Sequence, residues 1–135
     1  MKRRAFTLIE LLVVIAIIGI LTYAVQPALM AANEHARLTV CRARLMEISF
    51  ALRLYMSDWD AAPMTLDSLH ALGYIDNDMV LECAYAHAPF DYQRPDPDAP
   101  KDTVIASCPN HPHARGRSAA VLYLNGKVIL DRTRE

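Results

Sequence analysis

An apolar segment of membrane length opens this chain, preceded by three cations and interrupted by a single acid. Met1-Lys2-Arg3-Arg4-Ala5 runs directly into Phe6-Thr7-Leu8-Ile9-Glu10-Leu11-Leu12-Val13-Val14-Ile15-Ala16-Ile17-Ile18-Gly19-Ile20-Leu21. As a helix, Phe6 to Val25 spans about 30 Å, the thickness of a bilayer's hydrocarbon core. Lys2, Arg3 and Arg4 mark the cytoplasmic side, so the remainder of the chain is expected to be exported. Glu10 is the anomaly. A lone carboxylate in hydrocarbon costs several kcal/mol, which makes an intramembrane acid a functional-site candidate. Buried alone it would protonate, whereas a partner cation in low dielectric keeps it charged and directional.

Two simpler readings fall short of these residues. A secretory signal peptide needs a small-x-small cleavage site after its apolar core. The stretch Leu21-Thr22-Tyr23-Ala24-Val25-Gln26-Pro27-Ala28 supplies only a poor one. A plain single-span anchor accounts for the length but gives Glu10 no purpose.

The ordered arrangement over residues 1–21 resembles the N-terminus of type IV pilin precursors and of the pseudopilins of type II secretion systems. The likeness is good to about Pro63 and loose beyond it. It implies that a prepilin peptidase cuts between Ala5 and Phe6 and methylates the new amine of Phe6. The family usually carries Gly before the cut, and this chain carries Ala5, which is still small. The resemblance further implies that Glu10 pairs with the N-terminal ammonium of a neighbouring subunit and aligns each incoming protomer. Gly19 and Pro27 fall where the family tends to bend or melt its long helix. The partners implied are other copies or related pseudopilins, the prepilin peptidase and an inner-membrane assembly platform. The implied place is the bacterial inner membrane, crossed once, with the head on the far side.

Three segments follow from this reading: a basic leader at 1–5, a membrane and filament-core helix at 6–27, and an exported head at 28–135. Residues 1–27 hold three of the 14 basic and one of the 15 acidic side chains, so the head is mildly acidic. It offers no basic face suited to nucleic acid. Beyond Pro27 the helix turns amphipathic. Leu38, Cys41, Leu45, Ile48, Leu52, Tyr55 and Trp59 recur at three- and four-residue spacings and form one core-facing stripe. Arg37, Arg42, Arg44, Glu47 and Arg53 lie off it. The helix is expected to end at Asp58–Asp60, ahead of Ala61-Ala62-Pro63.

A short helix is expected over Leu66–Leu72, capped by Thr65 and stopped by Gly73. Asp91 to Asp102 is rich in Pro and Asp and reads as an irregular loop. A strand is expected near Asp102–Ser107. Two more, Ala119–Leu124 and Lys127–Asp131, flank Asn125-Gly126, the signal for a type I′ hairpin. That turn pairs the strands so that Val121 and Tyr123 share a face with Val128 and Leu130, and Leu122 and Leu124 share the other with Ile129. This hairpin resembles the Asp-Gly-His hairpin of many pseudopilin-like proteins, with Asn125-Gly126-Lys127 in its place. The fold class is therefore α+β, a long N-terminal helix packed on a small antiparallel sheet.

Among chemically capable residues, Cys83-x3-His87 and Cys108-x2-His111-x-His113 stand out. Cys83, His87, Cys108 and His111 are the types a tetrahedral zinc site uses. A Cys83–Cys108 disulfide is the leading expectation, since it suits an exported head and closes the Pro/Asp-rich loop for about 3 kcal/mol, with the metal site a weaker candidate. Reduced thiols are the third alternative. Cys41, on the core stripe, reads as a small buried hydrophobe. Asp91, Asp96, Asp98 and Asp102 could offer oxygens to calcium, but their spacing fits no loop of that type. No cofactor is expected. Ser107, Cys108 and His111 are too close in sequence to form a nucleophile–base pair, which folds assemble from distant segments. No phosphate loop or carboxylate pair is present, so an enzyme is not expected. The expectation is a structural filament subunit; the alternative is a membrane-tethered binding module using Cys and His for a metal or ligand.

Overall fold

Helix-forming signals at the N-terminus carry through without a break. The structure is a computed structural model describing residues 7–109 and 119–131, and its helix α1 spans Leu8–Trp59. The chain divides into two compact units, Met1–Asn33 and Glu34–Glu135. In the first, Leu, Ile and Val side chains are exposed all around the helix from Leu8 to Leu29. A helix apolar on every side is suited to lipid or to other helices rather than to water. This segment is long and apolar enough to cross a membrane. The helix passes through Pro27, although the ring forfeits one main-chain hydrogen bond there.

In the second unit the spacing of the stripe decides what is buried. Leu38, Cys41, Leu45, Ile48 and Leu52 are all buried as expected, and Ser49 and Ala51 widen the face. Trp59 departs from the expectation and is 59% exposed, because the stripe runs past the end of the core. The helix stops where expected, and Asp60 adopts a left-handed φ of 50° just beyond it. Helix α2 is Asp67–Ala71, one residue shorter at each end than expected, with Leu66 at its N-cap. Thr65 does not cap it through its side chain; its hydroxyl bonds to that of Ser68 at 3.2 Å. Gly73 stops the helix with φ +80°.

A 3-10 turn at Asp78–Leu81 leads into a small hairpin, β1 (Glu82–Cys83) with β2 (Ala88–Pro89). The main sheet is antiparallel, in the order β3 (Asp91–Tyr92), β4 (Val104–Ser107), β5 (Ala119–Tyr123), β6 (Val128–Asp131). Most of the Pro/Asp-rich stretch is loop, as expected, but its first two residues make β3. The α1 stripe, the inner face of the sheet (Ile105, Ala106, Ala120, Leu122, Val128) and the α2 region (Leu66, Leu69, Ile75) share one core. Each fully buried Leu or Ile there contributes about 1.5–3 kcal/mol. The architecture is α+β.

The β5–β6 hairpin differs from its expected form by one residue. Leu122 pairs with Val128 and Val121 with Ile129, whereas a two-residue turn would have set Leu122 opposite Ile129. The Gly126 N–H donates to Tyr123 O at 2.8 Å, and Gly126 takes φ +81° while Asn125 does not go left-handed. One glycine in that region adds a residue to the turn. A one-residue slip moves every β6 side chain to the opposite face. Val128 is therefore in the core beside Leu122, and Leu130, on the same face opposite Ala120, is 43% exposed near the strand end.

Candidate functional site

Two groups of residues carry chemistry, one in each unit. At the start of α1, Thr7 precedes the first helical residue and Glu10 lies three residues on. The Thr7 N–H and hydroxyl both donate to Glu10 Oε2, at 2.8 and 2.7 Å. The Glu10 N–H returns a longer bond to Thr7 Oγ1 at 3.4 Å. This is a capping box, in which a Thr and an acid satisfy each other's orphan main-chain donors. It fixes the rotamer of Glu10 within the chain. The pattern Thr-x-x-Glu is visible in the sequence at Thr7–Glu10. Ala5 and Phe6, the expected cleavage and methylation residues, lie outside the described residues.

In the second unit, three cysteines from three separate elements converge. The helical stripe points Cys41 into the core, β1 ends at Cys83, and Cys108 directly follows β4. Cys41 and Cys83 are fully buried and Cys108 is 5% exposed. All three sulfurs lie within 4.8 Å of one another. Cys41 Sγ and Cys83 Sγ are 3.3 Å apart, a thiol–thiol hydrogen bond. The expected Cys83–Cys108 pair lies within this group, with Cys41 as its third member. Cys41, read from the sequence as a plain hydrophobe, is a full member of the group. Three cysteines each placed against an apolar run was the signal that could have found it.

His87 does not join them. It is exposed, held at φ 50° on the turn between β1 and β2, and its N–H donates to Cys83 O at 2.9 Å. That turn needs a left-handed residue at its end, which sends the imidazole outward. His111 and His113 lie outside the described residues. Among the described residues, no three of Asp91, Asp96, Asp98 and Asp102 converge as a metal site would require.

The electrostatics of the trio are uneven. Hydrogen bonds from the Cys108 and Cys41 thiols, aided by the Ala86 and Tyr85 N–H groups, hold Cys83 well below the ordinary thiol range. Cys108 is pushed well above that range by its bonds to Cys41 and Cys83 and by burial. The Cys41–Cys108 bond acts to lower Cys41, but its bond to Cys83, burial and the Cys83 charge together raise it. The hydrogen bonds among the three sulfurs thus favour ionisation at Cys83 over Cys41 and Cys108. Such a group can hold a thiophilic ion or exchange into a disulfide.

Comparison with known proteins agrees with the N-terminal geometry. Residues 1–22 match the family model described as the prokaryotic N-terminal methylation motif. The chain is 41% identical over 75 residues to type II secretion system core protein G of Pseudomonas aeruginosa, covering 53% of each chain. It is 33% identical over 72 residues to competence protein ComGC of Halalkalibacterium halodurans, covering 53% of this chain and 71% of that protein. It is 38% identical over 71 residues to core protein G of Escherichia coli, covering 49% of that protein. The chain thus spans about half the length of the core protein G relatives it matches. No solved structure matches it significantly. With the motif, the long apolar helix and two thirds of a small pilin-like relative covered, the chain belongs to the type IV pilin and type II secretion pseudopilin family.

Proposed function

We propose that this chain is a structural subunit of a type II secretion pseudopilus or a related type IV pilus-like filament. The observation that carries the reading is the N-terminal helix, apolar on all sides except for the one acid held in its first turn. Prepilin peptidase removes residues 1–5 and methylates Phe6, leaving the helix anchored once in the bacterial inner membrane with the head at 28–135 exported. On extraction by the assembly platform, the Leu/Ile/Val surface must find other apolar surface, and the helices of neighbouring subunits supply it. Glu10 pairs with the N-terminal ammonium of a neighbour, and the role is structural rather than catalytic. A competence-type filament is the second reading, favoured by the larger share of the competence relative that the chain covers.

Mass spectrometry of protein extracted from membranes tests the reading. The expected N-terminus is Phe6 carrying one added methyl group. A mature N-terminus near Pro27, or an intact Met1 in cells with active prepilin peptidase, would sink it.

A further inference from the structure

Neither filament assembly nor membrane anchoring has a use for three cysteines meeting in the head. We propose that Cys41, Cys83 and Cys108 form a metal site that binds one thiophilic d10 cation, Zn(II) or Cu(I), through three sulfurs. The inference does not depend on the filament reading.

Distances come first. Sulfurs bound tetrahedrally at about 2.3 Å from a zinc ion are separated by roughly 3.8 Å. Cys41 Sγ and Cys83 Sγ are 3.3 Å apart and no pair exceeds 4.8 Å, so an ion enters with shifts of about an ångström or less. Second, the donors are all soft and the surroundings apolar, with Leu45, Ile105 and Ala106 in the same core. That combination selects thiophilic ions over calcium or magnesium.

A disulfide explains the group less well. Any one bridge uses two sulfurs and strands the third in the core, whereas an ion uses all three. An ion would also tie α1 to two chain segments far away in sequence, so metal binding is coupled to folding of the head. Three thiolates complete a trigonal Cu(I) shell and leave Zn(II) with a position for a further ligand, which makes the two ions separable by measurement.

The test uses the full chain, extracted in detergent without oxygen, with zinc and copper counted against protein. The expected result is one ion per chain, either as isolated or after reduced protein is supplied with Zn(II) or Cu(I), and none with Ca(II). Whichever of the two ions is retained identifies the occupant. Co(II) added to the reduced wild type should give a near-ultraviolet sulfur-to-cobalt charge-transfer band. Cys41→Ser should lower retained metal by roughly tenfold or more, as loss of a thiolate ligand does, while the neighbouring Ser107→Ala retains it. Because Cys41→Ser could misfold, the wild-type cobalt band stands as an independent reading. The proposal is overturned if reduced wild type binds neither ion and shows no cobalt band. It is equally overturned if Cys41→Ser binds as wild type does.

Discussion

The phenol of Tyr74 donates to Asp58 Oδ2 at 2.7 Å, joining the last turn of α1 to the segment that follows α2. Trp59 Nε1 donates to the same phenol oxygen at 3.2 Å, and the Tyr55 ring lies edge-on to that of Tyr74 with centroids 5.5 Å apart. Trp59 therefore keeps its place on the helical stripe by meeting an aromatic cluster at the surface instead of the core.

This bond makes stability sensitive to alkali. Its hydrogen bond to Asp58 is the main cause holding the Tyr74 phenol above its ordinary pKa. A group raised on folding contributes stability that is fully present below its unfolded pKa, about 10 for Tyr. That contribution is lost as pH rises through the folded value, where a phenolate would face a carboxylate. Melting temperatures recorded from about pH 8 to 11 should fall more steeply for wild type than for Tyr74→Phe. Identical slopes would show that the bond does not persist in solution.

Tyr92 adds to the same window by a different route. Burial pushes its phenol up to about 12, and the hydroxyl donates to Pro63 O at 3.0 Å. Pro63 is itself buried, so Tyr92→Phe leaves a carbonyl without its donor. The expected loss is about 1 kcal/mol in denaturant unfolding. Spectrophotometric titration of the tyrosines should lose its latest-ionising component in this variant and keep it in Tyr74→Phe.

The β5–β6 turn gives a third prediction. Gly126, at φ +81°, sits over α1: Ser49 Oγ donates to its carbonyl at 3.4 Å, and the Arg53 guanidinium donates to Asn125 O. A Cβ at Gly126 would meet that guanidinium and would force an L residue into the left-handed region. Gly126→Ala should cost about 1–2 kcal/mol, whereas Gly126→Asn, which tolerates this φ better, should cost less. Equal losses from both variants would shift the blame from backbone strain to the Arg53 contact.

The same turn shows where reading a sequence runs out. The hairpin was legible because two β-rich runs flank Asn125-Gly126, yet its register was not. One residue taking the left-handed region shifts the pairing by one, and no local pattern separates that turn from a type I′ turn. The α1 stripe was legible from Leu38 to Leu52 because five positions there repeat at helical spacing. The β1–β2 hairpin was not, since two-residue strands carry no period. For the cysteine site, Cys83 and Cys108 were legible as a pair. Cys41 was hidden because a core-facing cysteine looks the same whether it packs as a hydrophobe or meets two others.

Glu10 carries the last prediction, and the capping box sharpens it. Gln serves as well as Glu at the third helical position, since either side chain can accept the Thr7 N–H bond. Glu10→Gln therefore keeps the helix start seen here and removes only the charge. If Glu10 pairs with a neighbour's N-terminal ammonium, that ammonium is left uncompensated in low dielectric. The variant should insert in the membrane and be cleaved after Ala5, yet enter filaments roughly tenfold less well or worse. Thr7→Ala gives the converse: the charge stays, the cap is lost, and assembly should fall much less. The readout is the ratio of filament to membrane pool by immunoblot after shearing. If Glu10→Gln assembles like wild type while Thr7→Ala fails, Glu10 acts by starting the helix and not by greeting a neighbour.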